Sequence, residues 1–154
     1  MGQNYRTMGI TYAKIKVRNP LTQSRAIELD AKIETGATLL VLPGEVADEL
    51  KFPFVRKTPV KYADESRAEK DVVGAVELEI CGRKAWFEAI VEPKKSYALV
   101  GAIVMETLDL IVEPRSLGVY PNPRSPEAPL TEIEETRQTT DNRKQSELKT
   151  NERF

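Results

Sequence analysis

Apolar and polar residues alternate along much of this chain. Between Gly9 and Arg18, Ile10, Tyr12, Ala13, Ile15 and Val17 are interleaved with lysines and an arginine. A near-twofold period of this kind predicts a strand with one wet face. Asn19-Pro20 marks a turn. Residues 25–34 then alternate through Ile27, Leu29, Ala31 and Ile33, so the two segments predict a hairpin whose second strand delivers Glu34. The run TLLVLP at 38–43 is apolar without alternation, the pattern of a strand buried on both faces. Val46 and Leu50 lie four apart behind acidic first-turn residues, which predicts a short helix.

Residues 54–80 predict strand, turn and strand, with the polar tip at 63–68. Gly82 supplies a permissive turn, and residues 85–93 continue as a strand. A strand ending at Val100, a helical turn or two over 102–108, a strand over Leu110–Val112 stopped by Pro114, and a last short strand before Pro121 complete the pattern. From Asn122 onward the composition turns to Thr, Glu, Arg, Asn and Gln, and the few apolar residues have no sustained period. Such a segment buries too little surface to offset the entropy of ordering it. The expected organisation is an all-β domain over residues 6–121 with one or two short helices, followed by a polar, disordered tail over 122–154.

Charge narrows the partners. The net charge is −1, and basic residues are interleaved with acids along the whole length, so no basic stripe points to nucleic acid. The longest apolar stretch, around residues 97–112, contains Glu106 and Asp109 and is too short to cross a bilayer. The N-terminal residues lack the apolar core of a signal peptide. The expectation is a soluble, cytoplasmic protein with neither a nucleic-acid nor a membrane partner. There are no histidines and a single cysteine, Cys81. Triads that rely on imidazole are thereby excluded, as are an intramolecular disulfide and nearly every zinc site. Carboxylates, lysines, hydroxyls and backbone remain available for chemistry.

Among these the stretch KIETGATLLVLP, residues 32–43, stands out. Glu34 is delivered by a strand to a turn where Gly36 relaxes the backbone and Thr35 offers a hydroxyl. A rigidly held carboxylate suits general-base work, and two such groups sharing a proton can activate water. One chain supplies one, so a symmetric dimer would be needed.

The chain resembles the retropepsin-like aspartic proteases over roughly residues 10–121. The resemblance is carried by AKIETGATLLVLP, the hairpin tip YADESRA, VVGAVELEICGRKA and ALVGAIVMETLDLIVEP. It implies a closed β-barrel of the acid-protease fold, a homodimer with one shared active site, a peptide or protein substrate, water as nucleophile, and neither metal nor organic cofactor. Glu34 stands where that family carries its catalytic aspartate. The resemblance makes Thr35, Gly36 and Ala37 the remainder of the active-site loop. It makes Ala63, Asp64, Glu65, Ser66 and Arg67 a substrate-covering flap, and Leu99, Val100 and Gly101 the support of the catalytic loop.

Two departures from the family pattern shape the expectation. The flap tip reads Asp64-Glu65-Ser66 where a glycine is common. At the catalytic position glutamate replaces aspartate, which moves each carboxyl by about 1.5 Å, one C–C bond. A displacement of ~1 Å can cost ~10²-fold in rate. The alternative is therefore a catalytically silent dimer of the same fold that binds a peptide or protein in its groove. Lys14, Lys16 and Arg18 read as a solvated strand face, Trp86 and Phe87 as core or dimer surface, and Cys81 as inert.

Overall fold

The computed structural model describes residues 10–134. In chain order the elements are β1 (Thr11–Arg18), β2 (Ile27–Ile33), β3 (Leu40–Pro43), α1 (Gly44–Leu50), β4 (Phe54–Lys61), β5 (Arg67–Ile80), β6 (Arg83–Glu92), β7 (Ala98–Val100), α2 (Ala102–Thr107), β8 (Leu110–Val112) and β9 (Val119–Pro121). The strands and both short helices fall where the hydrophobic pattern places them.

β1, β2, β7, β3, β6 and β5 pair in that order, and β5 returns to β1, so the sheet closes into a barrel. The closing seam sets Lys16 opposite Glu79, Val17 opposite Leu78 and Arg18 opposite Glu77. On its outer side Arg18 donates twice to Glu77, at 2.8 and 3.0 Å. That bidentate pair holds the Glu77 carboxyl below its usual range. The 14 residues of β5 serve two sheets' worth of partners. Its first half pairs with β4 and its last residues with β1. An irregularity between Val73 and Val76, opposite β6, lies where the strand passes from one role to the other. Extra residues in one strand bend it, and here the bend lets the β4–β5 hairpin project beyond the barrel.

Alternate residues fill the interior. Ile15, Val17, Leu42, Val76, Leu78 and Val100 are fully buried, with Val104 and Leu108 from the α2 region packed against them. On the outer face of β1, Lys14 meets Asp30 at 2.7 Å and Lys16 meets Glu79 at 3.8 Å, in line with a solvated face. Phe87 points inward and Trp86, 61% exposed, points out. Cys81 and Gly82 take positive φ in the turn between β5 and β6, and the Cys81 thiol donates to the Val119 carbonyl.

Two polar clamps were not visible in the pattern. Asn19, only 1% exposed, donates to the carbonyls of Leu50 at 2.8 Å and Lys51 at 3.2 Å, closing the C-terminal end of α1. The second clamp gathers the chain after β9. Asp109 accepts hydrogen bonds from the Asn122 amide side chain at 2.9 Å, the Ser125 hydroxyl and the Leu130 N–H at 3.1 Å. Arg83, nearly buried, donates to the carbonyls of Leu108, Asp109 and Ser125. The first part of the polar segment that begins at Asn122 is thus tied to the barrel. Residues 135–154, which the expectation of a disordered tail mostly concerns, lie outside the described residues, as do residues 6–9.

Both clamps are measurable. Asn19→Ala leaves buried helix-end carbonyls without donors and should cost about 2 kcal/mol in chemical denaturation. The hydrogen bonds to Asp109, first from Ser125 and then from Asn122, hold its carboxyl below the usual 3.8. A carboxyl depressed in the folded state stabilises above the unfolded value and loses that contribution as pH falls through the folded one. The unfolding free energy should therefore decline more steeply below about pH 3.8 in the parent than in Asp109→Asn, measured by urea titrations across pH 2–6.

Candidate active site

Glu34 follows the last residue of β2 and begins a turn closed by the Ala37 N–H donating to the Glu34 carbonyl at 3.0 Å. Its own N–H donates to the Val100 carbonyl at 2.9 Å, continuing the parallel β2–β7 register in which Ile33 faces Val100. The loop then arches over Gly101. A Cβ on Gly101 would lie 2.6 Å from the Ala37 carbonyl oxygen and 2.8 Å from that of Leu39, so only glycine fits. Past it, the first N–H groups of α2 donate back to the loop: Ala102 to the Ala37 carbonyl at 2.8 Å and Ile103 to that of Thr38 at 3.2 Å. These are donors that a helix start leaves free, and here the loop takes them. The structure therefore brings Glu34, Thr35, Gly36 and Ala37 together with Leu99, Val100 and Gly101.

Within this frame the Glu34 carboxylate is half-exposed and points to the open side of the loop. Its Oε2 lies 3.5 Å from Lys32 Nζ. Thr35 and Gly36 are exposed. A Cβ on Gly36 would meet only Glu34 Oε1, at 3.7 Å, so the tip of the loop is open to an approaching group.

The β4–β5 hairpin ends in a tight turn. Tyr62 N–H donates to the Ser66 carbonyl at 2.9 Å and Glu65 N–H to the Tyr62 carbonyl at 3.0 Å. Asp64 accepts from both the N–H and the hydroxyl of Ser66, which holds its carboxyl below the usual range. Glu65 takes φ +70°, the left-handed conformation that favours glycine. The turn geometry therefore demands a glycine-like backbone although the side chain is charged, and Lys61 pairs with Glu65 at 2.8 Å.

Between loop and hairpin lies a groove of about 410 Å³. Val41, Val60, Ile90 and Leu99 give it apolar walls, Ala37 to Leu39 form one side, and Lys61, Tyr62, Glu92 and Lys95 form the rim. Of the expected flap residues, Ala63, Asp64, Glu65, Ser66 and Arg67 form the exposed tip, whereas Val60, Lys61 and Tyr62, just before it on β4, line the groove. Glu92 bonds Lys70 at 3.0 Å and the Tyr62 hydroxyl at 2.8 Å. Burial pushes its carboxyl up, but Lys70 and Tyr62 outweigh that and leave it below the usual range. Lys32, Glu92 and Lys95 were not singled out in the sequence. The one available signal was the period-two spacing of Ile90 and Glu92, which sets both on one face of β6.

Chemically, the chain presents the Glu34 carboxylate on a loop whose next residues line an apolar groove, with the Glu92 carboxylate on the groove's rim. Among the described residues no group of three or more His, Cys, Asp or Glu side chains converges to hold a metal, and no helix is long and apolar enough to cross a membrane.

No protein-family model matches the chain. No curated protein matches it in sequence either. Solved structures do. The solution structure of simian foamy virus (mac) protease is similar at 19% identity and TM-score 0.45, over 62% of this chain and 91% of that one. EIAV protease in complex with an inhibitor is similar at 17% identity and TM-score 0.48, over 62% and 85%. A foamy viral protease–reverse transcriptase bound to an RNA/DNA hybrid is similar at 17% identity and TM-score 0.49, and there the match spans 62% of this chain but 11% of the other. The likeness is one of fold: a mostly-β closed barrel with few short helices.

The interlock at Gly101 has a direct consequence. Gly101→Ala forces a methyl group against backbone that cannot yield without moving the loop, and should cost about 3 kcal/mol. Denaturant titration of this variant checks the figure, and a stability equal to the parent's would show that the loop is not closed over Gly101.

Proposed function

We propose that the chain is a retropepsin-like aspartic-type endopeptidase that acts as a homodimer. The catalytic unit is residues 6–121, and residues 122–154 are a polar appendage. The observation that carries this reading is the loop that presents Glu34: it is interlocked with Gly101, and its next residues, Ala37 to Leu39, line an apolar groove. A groove of this kind suits an extended peptide, and an acid whose backbone is fixed by main-chain bonds suits proton transfer.

In this mechanism two Glu34 side chains, one from each protomer, hold one proton between them. The ionised member takes a proton from water, and the water oxygen attacks the peptide carbonyl carbon. The protonated member gives its proton to the carbonyl oxygen. When the tetrahedral intermediate collapses, the C–N bond breaks, the proton taken from water passes to the leaving amine, and one hydroxyl of the gem-diol returns its proton to the other Glu34, leaving a carboxylic acid and a dyad that again holds one proton. Thr35 bonds across the dimer axis, Gly36 leaves room for substrate main chain, and residues 63–67 close over the bound peptide. Leu99, Val100 and Gly101 support the loop. Neither metal nor organic cofactor takes part.

A second reading has its own observation. The added methylene of Glu34 carries each carboxylate about 1.5 Å past the aspartate position, toward its counterpart, while the contact with Lys32 at 3.5 Å holds it on its own strand, and neither matches the geometry of a shared proton. On that reading the dimer binds a peptide or protein in the same groove without cleaving it.

One comparison separates the two. A mixture of apolar peptides is incubated at pH 4–7 with the parent, Glu34→Asp and Glu34→Ala, and products are followed by mass spectrometry. The endopeptidase reading expects slow cleavage by the parent, cleavage faster by up to ~10²-fold in Glu34→Asp, and none in Glu34→Ala. Cleavage by Glu34→Ala at the parent's rate would overturn the mechanism. A silent parent beside an active Glu34→Asp would establish the binding reading.

A further inference from the structure

The rim of the groove carries more positive charge than its carboxylates neutralise. Lys61 is matched by Glu65 at 2.8 Å, and Lys70 by Glu92 at 3.0 Å. Tyr62 also donates to Glu92. That leaves Lys95. Its charge reaches Glu92 and helps to lower that carboxyl, but among the described residues no carboxylate oxygen lies within 4 Å of it. Its ammonium instead sits 4.9 Å above the ring of Tyr97. Tyr97 in turn packs edge-on against Tyr12, with ring centroids 6.5 Å apart. The aromatic pair holds the lysine at the mouth of the groove beside Leu99, and a cation already positioned loses less freedom when it pairs.

We propose that Lys95 makes this groove selective for peptides in which an acidic side chain flanks the apolar residue seated between Val41, Val60, Ile90 and Leu99. The inference rests on the groove being the peptide site, which both readings above share, and it does not require cleavage. The apolar walls supply affinity without sequence discrimination, and the unmatched ammonium supplies the discrimination. An aspartate or glutamate of the peptide would complete the pairing of a rim whose other lysines already have carboxylates.

The test uses the full chain and fluorescein-labelled octapeptides with a central Leu-Phe pair, carrying glutamate or glutamine at each flanking position in turn. Binding is read by anisotropy, and the same samples are inspected for cleavage products. For at least one flanking position the glutamate peptide should bind about threefold tighter than its glutamine twin in 50 mM salt, in keeping with a partly exposed ion pair. The preference should vanish at 0.5 M salt. It should persist in Lys95→Arg, disappear in Lys95→Ala and reverse in Lys95→Glu. Equal binding of every glutamate–glutamine pair, no binding of either, or a preference that survives Lys95→Glu would overturn the proposal. Preference without cleavage sustains it while the endopeptidase reading falls, and cleavage without preference does the opposite.

Discussion

The closure of the 34–39 loop over Gly101 is the contact on which the rest of the site depends. Two separate stretches of sequence meet there, and neither is stable alone. The loop leaves carbonyls at Ala37 and Thr38 that need donors, and α2 begins with N–H groups that need acceptors. Each satisfies the other only because Gly101 has no side chain to hold them apart. Glu34 inherits its position from this arrangement: its N–H is fixed to Val100, and Val100 is fully buried in the barrel. The backbone of Glu34 is thus referenced to the core through main-chain bonds, the least adjustable kind of support available.

The barrel in turn explains why the groove lies where it does. β5 is long enough to close the barrel on β1 and to carry a hairpin with β4. The irregularity near Gly74 lets it do both without stretching the seam at Glu77. The end of β4 next to the hairpin tip then faces the loop across Val41 and Ile90, giving an apolar trough bounded by the loop on one side and the hairpin on the other. At that tip Glu65 occupies a left-handed position that glycine fills at lower cost. The ion pair with Lys61 is exposed and offsets that cost only weakly.

The strands and both helices were legible because they rest on local period, whereas the pairing of the loop with Gly101 was implied only by the family resemblance. The alternation through Ile27, Leu29, Ala31 and Ile33 named the inward face of β2, and the unalternating run at 38–43 named a strand buried on both faces, where Leu40, Leu42 and Pro43 are buried and Val41 is partly so. What stayed hidden involves partners far apart in sequence. Asn19 reads as a turn residue, yet its amide closes a helix that ends more than thirty residues later. Asp109 reads as one acid in an apolar stretch, yet it gathers donors from Asn122, Ser125 and Leu130. Lys95 follows a proline and another lysine in a turn, with nothing in its neighbours to distinguish it, and only the fold sets it over Tyr97 at the groove.

The charge at the loop follows the same logic as its backbone. Two facing carboxylates hold a proton between them because a second negative charge in the same place is costly. Anything that relieves the cost weakens the reason to share. Lys32 lies two residues before Glu34 on the same face of β2 and reaches its carboxylate at 3.5 Å. In a symmetric pair two such lysines would flank two glutamates, each glutamate having an oppositely charged partner on its own strand. The ion pair holds the carboxylate on its own strand and the extra methylene carries it past the place an aspartate would take, and shortening the acid to aspartate withdraws it from both.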